Sequence, residues 1–553
     1  MKLKLGTIGG MLLYKHAAEE LRDACCASTA HNGQGYNRLG FLLPSPVEQS
    51  TRTHKTPIHV SALPGDTGEH AASSSDGPLR VTCADVAEMQ QKIVNGRDID
   101  EVVCTKYGAT CASKLFRLFG WVKKVSENRD HSAAYVEIVD GTSHTHAPVV
   151  IRSTQRDYVK LTDTDVGDAV TVIGSLDTKP TSNLDQVPQV RILVESDDKG
   201  HSFSIHQKER FEHTNPVNIN GIYSVEYLRE HYNLRVRNAF IQAAFRVRSK
   251  VTEMIHKILS DMGFIHVTTP TLTGMNCEGM GDIFKGSDTY LSVSGQLELE
   301  ALCSGMGKVW KLGPAFRADR SDTPRHLSEF WMLEAEMNDV TLKELISTID
   351  TIIRKSADVV LSFCSGDIEV LQKQTEENIK DRLNVLKNTE TKIVTYEDAA
   401  NILNNARESD PTLEYPLVTL GEPLTAAHER SLLRIMDVPL IAITNFPQSF
   451  MPFYMEKAEN GTVNNVDMIA NGVGEIAGGS LREIRYDVLK RSMEEKAITG
   501  SDYEQYLELR KLGNARHGGF GIGFERLLMF LLRIPNIREV IHFPKLRKKH
   551  TVD

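Results

Sequence analysis

Five short runs rich in β-branched and aromatic residues crowd into residues 113–196, and they restrict the fold more tightly than anything else in the chain. The runs are 115–122, 134–139, 149–151, 169–173 and 190–194. Turn signals such as Asp140-Gly141 and Val166-Gly167-Asp168 separate them. Five strands so short and so close fit a small closed or partly closed β-barrel. A polar hinge over 197–222 follows. The pattern then changes period: Phe240, Ala244, Val247, Val251, Ile255, Ile258 and Leu259 recur at helical spacing up to Gly263. Leu342, Leu345, Ile346, Ile349, Ile352 and Ile353 mark a second amphipathic helix. The expected class is α+β, with the barrel ahead of a larger unit over 223–553. Residues 1–112 read differently. The stretch 44–80 is rich in Ser, Thr, His, Pro and Gly, includes Ser73-Ser74-Ser75-Asp76-Gly77-Pro78, and reads as a linker within a poorly ordered extension.

Charge and cysteine usage narrow the function classes. The formal net charge is -9, whereas a protein that coats nucleic acid indiscriminately is basic, so any RNA contact must use local patches. No run of 18 apolar residues exists to form a membrane helix. The eight cysteines form no Cys-x-x-Cys pair and read as reduced, intracellular thiols. The first 15 residues are basic and apolar, but Gly6, Gly9 and Gly10 interrupt them and Glu19, Glu20 and Asp23 follow, which is unlike a secretory signal. The expected location is the cytoplasm, with an organelle, mitochondrion or plastid, as the alternative raised by the extension.

Three segments carry residues suited to chemistry. In the first, Gly313-Pro314-Ala315-Phe316-Arg317-Ala318-Asp319 leads through a polar loop to Arg325-His326-Leu327-Ser328-Glu329-Phe330. The planar fork of an arginine suits phosphate or carboxylate, although such a hairpin is equally compatible with solvated surface charges. In the second, Gly521-Ile522-Gly523-Phe524-Glu525-Arg526 opens an apolar helix, and its glycines permit close backbone approach to a ligand. In the third, Asp467 and Glu475 precede Gly478-Gly479-Ser480-Leu481-Arg482, and two such acids suit Mg²⁺ held jointly with phosphate oxygens.

Taken in order, these segments resemble the class II aminoacyl-tRNA synthetases. Arg317 with 325–330 resembles motif 2, residues 521–526 resemble motif 3, and Gly263-Phe264-Ile265-His266-Val267-Thr268-Thr269-Pro270 resembles motif 1. Within the class, Cys277-Glu278-Gly279, Ser294-Gly295-Gln296-Leu297, Phe453-Tyr454-Met455 and Gly474-Glu475-Ile476 are most similar to the asparaginyl branch. The resemblance spans about 113–545 and implies an OB-fold barrel that binds the anticodon, followed by a catalytic domain built on an antiparallel sheet. It implies ATP as substrate, Mg²⁺, L-asparagine, tRNA(Asn), and a homodimer formed through motif 1. Arg317 and Arg526 would be catalytic. The ATP contacts would come from Arg317, Asp319, Arg325, His326, Leu327, Phe330, Glu475, Gly523, Glu525 and Arg526, and the metal ligands would be Asp467 and Glu475. The amino acid would meet Glu278, Gln296, Glu300, Arg317 and Arg482, with Glu278 on its ammonium group.

Substrate identity turns on one position. The aspartyl relatives carry a lysine just after the segment matching Gln296-Leu297, and here that position is Leu299, between Glu298 and Glu300. No cation is left there for a β-carboxylate, so asparagine is expected, with Glu300 accepting from the amide and Arg482 donating to its oxygen. An aspartyl-type enzyme that also charges tRNA for asparagine, and a silent tRNA-binding relative, are the competing readings. On the barrel, Tyr135 would stack on a base, Lys123, Lys124 and Arg129 form a basic patch, and Trp121 belongs to the core. Arg235, Arg237, Arg246, Arg248 and Lys250 are expected mostly on a solvated helix face. Ser126, Gln448, Met451, Asn471 and Leu481 depart from residues common in the family, and none of them binds phosphate or metal.

Overall fold

In the computed structural model the described residues are 77–95, 97–107, 114–128, 132–152, 164–178, 189–195, 200–206, 224–277, 283–287, 289–319, 323–513 and 515–546. Glu278, Arg129 and nearly all of the expected linker lie outside them.

The five runs form β2 (Phe116–Glu127), β3 (Ala133–Val139), β4 (Ala147–Arg152), β5 (Ala169–Asp177) and β6 (Arg191–Glu195). They pair in the order β2-β3-β4-β6-β5, and β5 returns to β2, which closes the barrel. Alternation explains the closure: on β3, Ala134, Val136 and Ile138 point inward and are buried, while Tyr135 and Glu137 are half-buried on the outer face.

Two stretches given to neighbouring segments belong to this barrel. Within residues 1–112, β1 (Leu79–Val81) pairs in parallel with the start of β2, and the helices Cys83–Val94 and Ile99–Tyr107 follow it. Val81, Val86, Met89, Val102 and Val103 join the barrel core, so this part of the extension is folded. Thr82 and Asp85 form a capping box that fixes the first helix's start. Within the expected hinge 197–222, β7 (Ser202–Ile205) pairs antiparallel with β5. Short polar-flanked segments like these bury few residues each, so their membership in a core is written in their partners and not in their own composition.

The larger unit rests on an eight-stranded sheet. In chain order its strands are β8 (Ile265–His266), β11 (Lys308–Phe316), β12 (Glu329–Asn338), β13 (Lys392–Thr395), β14 (Leu440–Thr444), β15 (Asn465–Ala470), β16 (Gly474–Leu481) and β17 (His517–Gly523). A separate two-stranded pairing joins β9 (Leu272–Thr273) to β10 (Tyr290–Leu291). The large sheet runs β13-β14-β15-β16-β17-β12-β11-β8, antiparallel from β14 to β11 with parallel pairs at both edges. The helix Ala239–Asp261, capped by Asn238 and stopped before Gly263 at φ 80°, packs its apolar stripe against this sheet's core. Leu342–Phe363 does the same behind a Thr341–Glu344 capping box. Each buried Ile or Leu on those stripes contributes about 1.5–3 kcal/mol by leaving water. Arg235 and Arg248, expected on a solvated face, are buried instead: Arg235 donates to the carbonyls of Arg538 and Ile541, and Arg248 pairs with Glu525 at 2.8 Å. Among the described residues no helix is long and apolar enough to cross a membrane.

Candidate active site

The three chemistry-bearing segments converge on the open face of this sheet. Residues 311–317 end β11, residues 325–330 lead into β12, Asp467 and Glu475 sit on β15 and β16, and Gly523 closes β17 ahead of the helix Phe524–Leu532. Because β12 and β16 both pair with β17, the expected site residues fall within a few strand widths of one another. The glycines of β17 make room. Gly519 lies opposite Glu336, and a Cβ there would overlap the Glu336 carboxylate.

Two cavities share this face. One of about 880 Å³ is lined by Arg317, Asp319, Arg325, His326, Leu327, Phe330, Glu475, Gly523, Glu525 and Arg526, which gathers every residue expected to meet ATP. Arg325 Nη1 donates to the Val473 carbonyl at 2.8 Å, and Arg526 Nη1 donates to the Glu475 carbonyl at 2.7 Å. The Arg317 guanidinium lies 5.5 Å from the centre of the Phe330 ring. Burial, followed by the charges of Arg526, Arg325 and Arg317, holds His326 below its ordinary pKa, so it is neutral at physiological pH. Glu525 is deeply buried; it accepts from the Trp331 backbone N–H at 2.9 Å and pairs with Arg248. That couples the start of the helix Phe524–Leu532 to β12.

The second cavity, about 750 Å³, is lined by Ser294, Gln296, Leu299, Glu334, Glu336, Tyr454, Asp467 and Arg482, and it shares Arg317, Met332, Glu475 and Gly521 with the first. Arg482 meets Glu336 as a fork, Nε to Oε1 at 3.0 Å and Nη2 to Oε2 at 2.9 Å, and donates through Nη1 to Ser480 at 2.8 Å. Its guanidinium lies over the Tyr454 ring at 5.2 Å. Glu334 pairs across the strands with Lys311 at 3.0 Å and accepts from Ser294 and from the Gly295 backbone.

Glu300 occupies a different place from the one expected of it. It does not line the cavity. Its carboxylate is fully buried beneath Arg482 and accepts from Arg510 at 2.7 Å, Tyr506 at 2.9 Å, Gln296 at 3.1 Å and His517 at 3.1 Å. Those donors fill its accepting positions, so the carboxylate that faces the cavity is Glu336. Burial opposes the Glu300 charge, yet Arg510, His517 and Arg482 outweigh it and hold its carboxyl below the usual range. Oxygens of Glu300 and Glu336 and a nitrogen of His517 lie within 4.8 Å of one another, a spacing that suits a cation, but the Arg482 and Arg510 guanidinium groups already serve both carboxylates.

The Asp467 and Glu475 carboxylates flank Gly478: an ideal Cβ on that glycine would lie 3.3 Å from Glu475 Oε1 and 3.7 Å from Asp467 Oδ1. Burial, then the charges of Glu475 and Glu429, push the Asp467 carboxyl well above its ordinary pKa. Two crowded oxygen donors whose charges oppose each other fit a hard divalent cation. On the barrel, Tyr135 lies opposite Ser126, and Lys123 is exposed at the bulge between Val122 and Lys124.

Sequence reasoning missed Glu334, Glu336, His517, Tyr506, Arg510 and Glu429. A signal for two of them was present: Glu334 and Glu336 alternate in an otherwise apolar strand on the same side as Met332, where an unpaired acid would be costly.

Comparison with known proteins agrees with this arrangement. Residues 224–547 match the family described as tRNA synthetases class II (D, K and N). The asparagine–tRNA ligase of Clostridium kluyveri is 33% identical over 458 residues, covering 78% of this chain and 95% of the relative. That of Legionella pneumophila is 33% identical over 461 residues, covering 77% and 93%. The structure of asparaginyl-tRNA synthetase from Pyrococcus horikoshii complexed with asparaginyl-adenylate superposes with a TM-score of 0.67 at 28% identity, covering 79% of this chain and 96% of that one. A chain with this sheet, these cavities and these relatives belongs to the class II tRNA synthetases of the D, K and N group.

Proposed function

We propose that the chain is an asparagine–tRNA ligase, which forms asparaginyl-adenylate from L-asparagine and ATP and passes the asparaginyl group to tRNA(Asn). The observation that carries this reading is Arg317, which lines both the cavity suited to the nucleotide and the one suited to the amino acid. An amino-acid carboxylate is already ionised at neutral pH, so attack needs alignment and charge neutralisation more than a general base. A carboxylate oxygen attacks the α-phosphorus, the bond to the β-phosphate bridge breaks, and pyrophosphate leaves. Arg317 donates to the carboxylate and to the α-phosphate oxygens, where negative charge gathers in the transition state. Arg325, His326 and Arg526 hold the outer phosphates, and Phe330 lies under the adenine. In the second step a hydroxyl of the tRNA's terminal ribose attacks the adenylate carbonyl and AMP leaves. Asp467 and Glu475 would hold Mg²⁺, which neutralises phosphate charge when bound.

In the amino-acid cavity, Glu334 is the described carboxylate best held to meet the ammonium group. Arg482 donates to the side-chain carbonyl and Glu336 accepts from the amide N–H. Glu300 acts from beneath by fixing His517, Arg510 and the edge of Arg482. Leu299 lines the wall where the aspartyl relatives carry a lysine. ATP–pyrophosphate exchange is expected with asparagine and at least ~10-fold less with aspartate at equal concentration. Leu299→Lys is expected to raise aspartate-dependent exchange by about 10-fold, with a melting curve to confirm that the variant folds. Wild-type exchange with aspartate alone would transfer the assignment to the aspartyl branch. A protein that binds tRNA but exchanges with neither amino acid would be a silent relative.

The barrel over 113–196 is proposed to bind the anticodon through Tyr135 and Lys123, ahead of the catalytic unit over 223–553. Ile265 on the edge strand β8 and Leu272 on β9, 46% and 61% exposed, are proposed to lie in a homodimer interface. The double variant Ile265→Asp, Leu272→Asp is expected to convert a dimer of about twice 61.7 kDa into monomers by light scattering. A wild-type monomer would remove this part of the proposal.

A further inference from the structure

Glu429 stands on the helix Ala426–Met436, outside the three chemistry-bearing segments. The helix is firmly placed: Thr425 and His428 form a reciprocal cap, and His428 Nε2 faces the Pro416 carbonyl at 2.8 Å. It packs against β15 and β16, the hairpin that carries Asp467 and Glu475. Glu429 is half-buried and does not line the nucleotide cavity. Gly474 explains what it meets. An ideal Cβ on Gly474 would lie 2.6 Å from Arg325 Nη1 and 2.8 Å from Glu429 Oε2, so the two side chains flank the same space over a bare Cα, close enough for their charges to interact. Gly474 has φ 86°, which disfavours any other residue there.

The electrostatic need is plain. Arg317, Arg325 and Arg526 line one cavity, and without a nucleotide their like charges repel. The Arg325 guanidinium donates there to the Val473 carbonyl. Glu429 stands behind it and opposes the tendency to swing outward to the extent that it is ionised, its carboxyl being pushed up to about 7 by burial and then by the Glu475 charge.

We propose that Glu429 is a positioning residue that holds the Arg325 guanidinium from behind, in the orientation that receives the outer phosphates of ATP. The proposal rests on the reading of the first cavity as the ATP site. It concerns a charge that never touches the nucleotide and acts only through Arg325. When a competent arrangement is populated only in part, apparent affinity falls by that fraction.

The test is a pair of charge-removing variants and their combination: Glu429→Gln, Arg325→Gln and the double variant. Steady-state exchange is measured against ATP and asparagine separately, with direct ATP binding by calorimetry on the full chain. Glu429→Gln is expected to raise the KM and Kd for ATP by ~10-fold, the loss of one nearby opposite charge acting on Arg325, while the KM for asparagine stays within ~2-fold. Glu429→Asp is expected to fall between wild type and Glu429→Gln. In the double variant the Glu429 change should add nothing to the Arg325→Gln loss. Equal effects on both substrates, or losses that multiply in the double variant, would overturn the proposal. Failure of wild-type exchange with asparagine would instead strike the functional reading, and the calorimetric arm would still decide the role of Glu429.

Discussion

Arg317→Ala is expected to lower asparagine-dependent ATP–pyrophosphate exchange by about 10²–10³-fold, mostly in kcat, and to leave the melting temperature nearly unchanged. The magnitude is that of removing a preorganised donor aimed at charge that develops in the transition state. The expectation of unchanged stability comes from position. Arg317 is only partly buried at the seam of two solvent-open cavities, and its backbone N–H, which bonds to the Ser328 carbonyl at 3.0 Å, survives the substitution. Arg317→Lys retains the charge but loses the planar fork that spans two oxygens, so it should recover only part of the loss. Rates measured at saturating ATP and asparagine would check the prediction. A decline smaller than tenfold for Arg317→Ala would mean that the seam between the cavities is not where the chemistry occurs.

Glu300→Gln is expected to produce the largest loss of stability of any single polar substitution in the site, roughly 3–5 kcal/mol. The side chain is almost the same size, so the loss is electrostatic. Arg510 and His517 would remain buried without the carboxylate they pair with, while Arg482 would keep its pair with Glu336. The pH dependence follows from two shifts of opposite sign. Glu300 is held below its ordinary pKa, so its contribution is present above the ordinary carboxylate value and is lost only as pH falls through the lowered one. Burial opposes the His517 charge, but Glu300 and Glu336 raise its pKa above the ordinary 6.5. Its contribution is therefore full below 6.5 and fades as pH rises through the raised value. The destabilisation by Glu300→Gln should be greater at pH 6 than at pH 9. Urea unfolding of both proteins at the two pH values would measure it, and a pH-independent or negligible difference would contradict this network around Glu300.

The parts of the fold legible from residues alone were those with strong periodicity. The alternation of Ala134, Val136 and Ile138 and the stripe from Phe240 to Leu259 lead directly to β3 and the helix Ala239–Asp261, because burial of one face is a property of the segment itself. The strand Leu79–Val81 and the strand Ser202–Ile205 were not legible, since three or four residues carry no period and their burial depends on β2 and β5. In the site, the residues expected around ATP come from short contiguous motifs, and the structure brings them to the lining of one cavity. The ring around Glu300 was not. Gln296 lies one helical turn from Glu300, but Tyr506, Arg510 and His517 are 206 to 217 positions away from it, and nothing local marks those three as its neighbours. Glu300 and Glu336 also illustrate why spacing misleads: both are acids near the pocket, and only the pleat of β12 and the surrounding donors decide which one lines the cavity.

A wall common to two chambers invites a molecule that fills both. An inhibitor joining a purine nucleoside to a carboxamide by a short neutral linker would lay that linker across the Arg317 side chain. Each half then experiences the other as a high local concentration, and the tethered compound can exceed the separate affinities by orders of magnitude if the linker length fits.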